Sequence, residues 1–221
     1  MTAVPALQVV EIFRSLQGES TRAGLPCTFV RLSGCNLRCL WCDTTYAYAG
    51  GSSMTVPEIL AKVRDLPSPL VEVTGGEPLL QSATIALLAS LLALPGHEVM
   101  LETNGSLDIS VVPPQVIRII DIKCPSSGMH DQMLLANLDH LRPTDEIKFV
   151  IADRTDYEYA RDFVRNDRRL DRAAALHFMP VIARGSGPQP RDLADWILAD
   201  SLPVRFSMQL HKLIWGPDTR R

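Results

Sequence analysis

Short apolar segments alternate with longer amphipathic segments along this chain, and the alternation predicts a β-α protein. Segment 7–13 alternates weakly, whereas 116–122 is a continuous apolar run typical of a strand buried on both faces. Strands are predicted at 7–13, 27–32, 70–74, 98–102, 116–122, 146–151, 175–181 and 204–209. Helices are predicted at 55–66, 82–94, 131–138, 156–165 and 191–199. This succession indicates an α/β fold with a parallel sheet, and it suits a six-stranded (β/α)6-type partial barrel with extra N- and C-terminal strands.

Polar motifs follow several predicted strands at the point where each strand ends. A cysteine-containing loop follows 27–32, and Gly75-Gly76-Glu77-Pro78 follows 70–74. Thr103-Asn104-Gly105 and Asp121-Ile122-Lys123 end the next two strands. Because the C-terminal ends of parallel strands meet at one edge of the sheet, these motifs are expected to converge on one active site.

Composition places the chain among ordinary globular proteins. Its 221 residues are 46% hydrophobic and 21% charged, and one domain spanning 1–221 is predicted. The net charge of −3 gives no electrostatic reason to expect nucleic acid or an anionic membrane as a partner. The longest apolar stretch, 83–94, is too short to span a bilayer, and the N-terminus lacks a signal-peptide pattern. A cytoplasmic location is therefore expected.

Three cysteines, Cys35, Cys39 and Cys42, lie in one short loop with the spacing C-x3-C-x2-C. Three thiolates can bind three irons of a [4Fe-4S] cluster and leave the fourth iron open, whereas an electron-transfer cluster uses four cysteines. A zinc site, which usually needs four closed ligands, is a weaker alternative because the histidines are distant in sequence. A disulfide framework is disfavoured, and chance core cysteines are the remaining alternative. Cys27 and Cys124 carry no spacing signal.

The cysteine spacing resembles that of the radical S-adenosylmethionine (SAM) superfamily, and Gly75-Gly76-Glu77-Pro78 resembles its motif for the methionine amino group. Further segments occur in the order typical of the 7-carboxy-7-deazaguanine synthases of the queuosine pathway, from about residue 10 to 217. These segments are Glu11-Ile12-Phe13, Leu16-Gln17-Gly18-Glu19, Arg31, Gly34-Cys35-Asn36-Leu37, Cys42-Asp43-Thr44, Thr74 to Pro78, Glu102 to Gly105, Asp121 to Gly128, Glu146-Ile147-Lys148 and Ser207 to Lys212.

The resemblance implies conversion of 6-carboxy-5,6,7,8-tetrahydropterin into 7-carboxy-7-deazaguanine, with release of ammonia. It implies a [4Fe-4S] cluster, SAM and Mg²⁺ as cofactors, and a 5′-deoxyadenosyl radical that removes the substrate C6 hydrogen. It also implies a flavodoxin- or ferredoxin-type reductant and a homodimer. The alternatives are an activating enzyme for glycyl-radical enzymes, which uses the same cluster and SAM on a protein, and a non-catalytic iron-sulfur or zinc module.

The resemblance also implies roles for individual residues. Cluster binding and catalysis fall to Cys35, Cys39 and Cys42, and magnesium binding falls to Thr44. The residues implied to bind the cofactor are Trp41, Cys42, Asp43, Gly75, Gly76, Glu77 and Lys123. Substrate binding falls to Leu16, Gln17, Gly18, Arg31, Thr74, His211 and Pro217.

Each of several roles has a structural alternative. The Thr44 hydroxyl can cap its own turn, and Arg31 can form an ion pair with Glu19. His211 can be a core histidine, and Trp41 can shield the cluster from solvent. The resemblance implies a substrate contact by a terminal carboxylate at Pro217. In this sequence Asp218-Thr219-Arg220-Arg221 follow, and a backbone carbonyl could replace that carboxylate.

Overall fold

The apolar runs of the chain form the strands of one curved sheet. A computed structural model describes residues 5–182 and 187–216. Its strands are β1 Ala6–Leu16, β2 Pro26–Leu32, β3 Ser52–Thr55, β4 Leu70–Gly75, β5 Glu98–Thr103, β6 Ile117–Asp121, β7 Glu146–Ile151, β8 Ala175–Pro180 and β9 Arg205–Phe206. Its α-helices are α1 Val56–Arg64, α2 Thr84–Leu92, α3 Arg154–Asn166, α4 Pro190–Ala199 and α5 Leu210–Trp215.

The sheet order is β3-β1-β2-β4-β5-β6-β7-β8-β9. The pairs from β2 to β9 are all parallel, whereas β1 runs antiparallel to both β2 and β3. The six strands β2 and β4 to β8 therefore form the predicted partial barrel, with β1 and β3 added at one edge and the two-residue β9 at the other. The predicted fold class is confirmed. One domain over 1–221 stays a prediction.

Apolar side chains pack on both faces of this sheet. On the outer face, α1 and α2 cover the strands of the N-terminal half through Ile59, Leu87 and Leu88, all fully buried. Similarly, α3 and α4 cover β7 and β8. The concave face carries a smaller apolar cluster that includes Phe29 and Met100. This cluster forms the floor beneath the polar groups at the strand ends.

Two predicted elements are wrong. The predicted helix 131–138 is replaced by two 3-10 turns, His130–Gln132 and Leu135–His140. The Asn137 amide there donates to the carbonyls of Gly105 (3.0 Å) and Leu107 (2.8 Å), so the segment is anchored to the loop after β5 instead of continuing as a helix.

The predicted strand 204–209 is also wrong beyond Phe206. Only Arg205–Phe206 pairs with β8, and α5 begins at Leu210. The chain turns there because Leu210 N donates to the Gly18 carbonyl (2.9 Å) and Gln209 Nε2 donates to Glu19 (3.0 Å). The short strand β3 and helix α5 were not predicted.

Among the described residues, none of the helices has the length and apolar character required to cross a bilayer.

Candidate active site

The C-terminal ends of the parallel strands border one cavity, as the sequence predicts. The predicted site residues that line it are Leu16, Gln17, Gly18, Arg31, Cys35, Cys39, Trp41, Cys42, Asp43, Thr44, Thr74, Gly75, Gly76, Lys123 and His211. Glu77 is fully buried and does not line the cavity. Pro217 lies outside the described residues.

The three cysteines lie on the loop that follows β2 and leads to β3. The loop is held by hydrogen bonds from Gly34 N to the Ala47 carbonyl (2.8 Å) and from Leu40 N to the Ser127 carbonyl (3.1 Å). Cys35, Cys39 and Cys42 are all partly exposed and free. This arrangement fits a cubane cluster, because each thiolate binds its own iron and the three need only surround the cube.

No three His, Cys, Asp or Glu side chains among the described residues converge as the ligands of a single metal ion. The other two thiols, Cys27 and Cys124, are fully buried, and burial raises the pKa of each. A buried protonated thiol behaves as a small apolar core residue.

Gly75 and Gly76 bring β4 into direct contact with the cysteine loop. A side chain on Gly76 would meet the Gly34 carbonyl carbon at 2.7 Å and Cys35 Cβ at 2.8 Å. Gly75 has φ +151°, and its added Cβ would lie 2.7 Å from Leu32 N. Both positions therefore require glycine for close approach of two backbones. Glu77 N continues the contact by donating to the Gly34 carbonyl (2.7 Å).

The Glu77 carboxylate links β4 to β5. It accepts hydrogen bonds from Asn104 N (2.7 Å), from Leu79 N (2.9 Å) and from the Thr103 hydroxyl (2.9 Å). Burial raises the pKa of Glu77, and these donors oppose the shift. The Asn104 amide in turn lies 3.8 Å from Cys35 Sγ. Glu77 thus positions the groups behind the cysteine loop.

Trp41 and Lys123 form one wall of the cavity. Trp41 Nε1 donates to Ser126 Oγ (3.1 Å), and Lys123 Nζ lies 5.4 Å from the centre of the Trp41 ring. Lys123 also pairs with Asp121 Oδ2 at 2.8 Å. Burial disfavours the charged amine, but the Asp121 carboxylate outweighs it and raises the pKa of Lys123. A cation over an aromatic face provides both a flat surface and a positive charge.

Asp43 and Thr44 line the cavity beside α5. Lys212 Nζ pairs with Asp43 Oδ2 at 2.5 Å, and the Thr44 hydroxyl donates to Asp43 Oδ1 at 2.9 Å. Partial burial raises the pKa of Asp43, but the contacts with Lys212 and Thr44 outweigh it and hold this pKa well below its usual range. Asp43 is therefore an anion at neutral pH, next to a hydroxyl whose lone pairs remain available.

A buried ionic cluster was missed by sequence reasoning. Lys148 on β7 pairs with Glu19 Oε2 (2.7 Å), with Glu102 and more distantly with Asp121 Oδ2 (3.4 Å). Burial opposes the charge on Lys148, but these carboxylates raise the pKa of Lys148 well above its usual value. A lysine inside a strand of otherwise buried residues was the available signal.

The predicted substrate residues within the described chain line the cavity from several elements. Arg31 Nε pairs with Glu11 Oε1 at 2.9 Å, so the predicted alternative pairing with Glu19 is wrong. His211 lies against the Gly18 backbone, where an added Cβ would be 3.0 Å from His211 Cγ, with the ring atom Nδ1 closer still. Burial lowers the pKa of His211. Thr74 Oγ1 donates to Glu102 Oε2 at 3.2 Å.

Comparison with known proteins agrees with this geometry. Residues 29–182 match the family model of the radical SAM superfamily. The 7-carboxy-7-deazaguanine synthase of Koribacter versatilis is 47% identical over 97% of this chain and 99% of the relative. The chain belongs to this superfamily and, within it, to the 7-carboxy-7-deazaguanine synthase family. A synthase from Chlorobaculum tepidum is 46% identical over 100% of this chain and 99% of the relative.

The fold agrees as well. The crystal structure of QueE from Escherichia coli superposes with a TM-score of 0.75 at 22% identity, covering 93% of this chain and 95% of that one. Membership of the radical SAM superfamily implies a [4Fe-4S] cluster, SAM, a small-molecule substrate and a reductant for this synthase-family chain. The three cavity-lining thiols fit such a cluster.

Proposed function

We propose that this chain converts 6-carboxy-5,6,7,8-tetrahydropterin into 7-carboxy-7-deazaguanine with release of ammonia. The observation that carries the proposal is one cavity that joins three free thiols to the Gln17–Glu19 turn and to Arg31. Full-length similarity to two curated synthases at 46–47% identity supports the same reaction. No feature of the cavity favours a protein substrate or a non-catalytic module.

Cys35, Cys39 and Cys42 would hold the cluster, which with SAM supplies a 5′-deoxyadenosyl radical when reduced. Gly75 and Gly76 would present backbone groups to the SAM methionine, since no side chain intervenes there. Trp41 and Lys123 would bind the remaining part of SAM through the flat ring and the ammonium group. Glu77 would act by positioning the loop and β5, because its carboxylate is bound to protein groups.

Magnesium would bind beside Asp43 and Thr44. Mg²⁺ prefers oxygen ligands and keeps several waters, and here a hydroxyl adjoins an ionised carboxylate whose side chain is 44% exposed. The Lys212 ammonium already neutralises part of that charge, so the cation would also need the substrate carboxylate as a ligand. Arg31, which also lines the cavity, would pair with the same substrate carboxylate.

We propose three further properties on family resemblance alone: a homodimer, a flavodoxin- or ferredoxin-type reductant, and a cytoplasmic location. Light scattering of the purified protein measures the first. The second is measured by replacing dithionite with each reduced carrier in the activity assay.

The decisive experiment is anaerobic reconstitution followed by product analysis. The reconstituted protein is incubated with SAM, reductant, Mg²⁺ and the carboxytetrahydropterin, and the products are identified by mass spectrometry. Formation of 7-carboxy-7-deazaguanine with ammonia supports the proposal. Cleavage of SAM to 5′-deoxyadenosine with no change in the pterin would refute the substrate, and zinc in place of about four irons per chain would refute the chemistry.

A further inference from the structure

Glu72 is a carboxyl group at the floor of the cavity with no assigned role. Glu72 lies on β4, two residues before Thr74. Its side chain therefore points to the same face of the sheet as that of Thr74, about 7 Å further from the C-terminal end of the strand. Its register neighbours are Phe29 on β2 and Met100 on β5, both buried. Glu72 itself is 2% exposed and lines the cavity.

The two oxygens of Glu72 have different surroundings. Oε2 accepts a hydrogen bond from Gln17 Nε2, and Gln17 Oε1 accepts one from Glu19 N at 3.0 Å. Glu72 Oε1 has no hydrogen-bond partner and no cation within ion-pair distance in the described part of the chain. This oxygen is not among the fully buried side-chain atoms without a partner in the described chain, so it is accessible from the cavity, where a ligand can be its partner.

The protonation state follows from these surroundings. Burial raises the pKa of Glu72 well above its usual value, and the nearby Glu102 and Glu19 carboxylates add to the shift. Lys148 and Arg31 oppose it only in part. These surroundings favour the neutral carboxylic acid, which has one O–H donor and one carbonyl acceptor.

The same part of the cavity provides a flat apolar surface. Phe13 and Phe29 stack with ring centres 5.1 Å apart, and both line the cavity next to Glu72. Arg31 lies 5.7 Å from the centre of the Phe13 ring, one layer nearer the cavity mouth. A planar heterocycle in this space would contact aromatic rings on its face, with its acidic substituent towards Arg31 and its other edge towards Glu72.

We propose that Glu72 is a specificity-determining residue that recognises the 2-aminopyrimidine edge of the substrate, with its O–H donated to ring N1 and its carbonyl accepting from the 2-amino group. This inference deepens the proposed function and rests on it, because the pterin is the heterocycle in question. Oε2 can serve as that carbonyl while it keeps the hydrogen bond from Gln17, since a carbonyl oxygen has two lone pairs. Gln17, whose Oε1 and Nε2 both have protein partners, becomes a positioning residue for Glu72.

The test compares two variants with two substrates. Glu72→Gln keeps a neutral donor and acceptor in nearly the same shape, whereas Glu72→Leu removes both. We expect Glu72→Gln to keep KM for the carboxypterin within about threefold of wild type and Glu72→Leu to raise it at least tenfold, the scale of two lost hydrogen bonds. The 2-oxo (lumazine) analogue lacks the 2-amino group and the N1 acceptor. Wild type should reject it, and Glu72→Leu should lose most of that preference.

The matched control is Glu158→Leu on the exposed face of α3, where the carboxylate only pairs with Arg154. It should leave both KM values unchanged. Equal KM values for wild type and Glu72→Leu would overturn the inference, and so would equal losses in Glu72→Gln and Glu72→Leu. If Glu72→Leu fails to fold, wild type alone decides the matter: equal use of the two substrates overturns the inference, and rejection of the analogue together with an active Glu72→Gln supports it. A wild type that forms no deazaguanine at all would instead refute the proposed function.

Discussion

Gly76→Ala is expected to damage the cysteine loop far more than the fold. The added methyl carbon would lie 2.7 Å from the Gly34 carbonyl carbon and 2.8 Å from Cys35 Cβ, with the Gly34 oxygen closer still. Carbon atoms in favourable contact are about 3.5–4.0 Å apart. The loop and the end of β4 would therefore have to separate by roughly 0.7 Å or more.

The crowding cannot be relieved by rotating a side chain, because the atoms met are backbone and the Cβ of a proposed cluster ligand. The close contact between β4 and the loop is also maintained by a hydrogen bond from Glu77 N to the Gly34 carbonyl (2.7 Å). Overpacking of this kind typically costs about 1–3 kcal/mol of stability. A displacement of almost 1 Å in a reacting group can lower a rate by on the order of 10²-fold.

The assay measures three quantities in the reconstituted protein: iron content, the rate of 5′-deoxyadenosine formation, and the urea unfolding midpoint of the apo chain. We expect the cleavage rate to fall by roughly 10- to 100-fold, with a modest loss of stability. Gly96→Ala is the matched control, because its φ of +95° disfavours alanine but its added Cβ meets nothing within 4 Å. It should lose about 1–2 kcal/mol of stability and keep the cleavage rate. A normal cleavage rate in Gly76→Ala, or an equal loss in both variants, would refute the packing argument.

The remaining predictions concern charge and metal. Lys148→Met leaves buried carboxylates without their cation, so urea unfolding should show a loss of roughly 3–5 kcal/mol, whereas the exposed Lys62→Met should lose almost nothing; equal effects would contradict this. Cys39→Ala should abolish formation of 5′-deoxyadenosine with reductant present, and normal cleavage would refute the cluster assignment. Thr44→Ala should weaken the dependence of the rate on Mg²⁺ while SAM binding is kept; an unchanged Mg²⁺ response would count against the metal role. Burial lowers the pKa of His211, so as the pH falls through about 6.5 the unfolded chain binds the proton first and stability is lost. In the apo chain His211→Gln should lose less stability than wild type between pH 7.5 and 5.5, and equal losses would contradict the shift.

Much of the fold could be predicted from sequence because its signals are local. The apolar run ending at Ile122 and the pair Gly75-Gly76 at the end of β4 mark strand ends within a few residues. Parallel pairing then brings the ends together, whatever the intervening helices contain. The cysteine loop, Thr74 and Lys123 therefore share one cavity, as expected.

The parts that could not be predicted depend on partners distant in sequence. The segment 204–209 was predicted to be a strand, but hydrogen bonds to Gly18 and Glu19 turn the chain into α5. A guanidinium in an apolar strand needs an anionic partner, but the sequence alone could not show that the partner of Arg31 is Glu11 and not Glu19. Glu77 was likewise predicted to bind the cofactor. Only its hydrogen bonds at the end of β5 show that its carboxylate is bound to protein groups.

The pairing of carboxyl groups with cations around the cavity indicates which carboxyl group most readily takes up a proton. Five carboxyl groups and four cationic side chains line the cavity: Glu19, Asp43, Glu72, Glu102 and Asp121, and Arg31, Lys123, Lys148 and Lys212. Arg31 is also paired with Glu11, which does not line the cavity. A buried charge needs an opposite charge close by, or the group takes up or releases a proton instead. Four of these acids are within ion-pair distance of a lining cation, and Glu72 alone among the five is not. Among the five, Glu72 is therefore the group whose surroundings most favour the neutral form, in which a carboxylic acid can donate to the edge of a heterocycle.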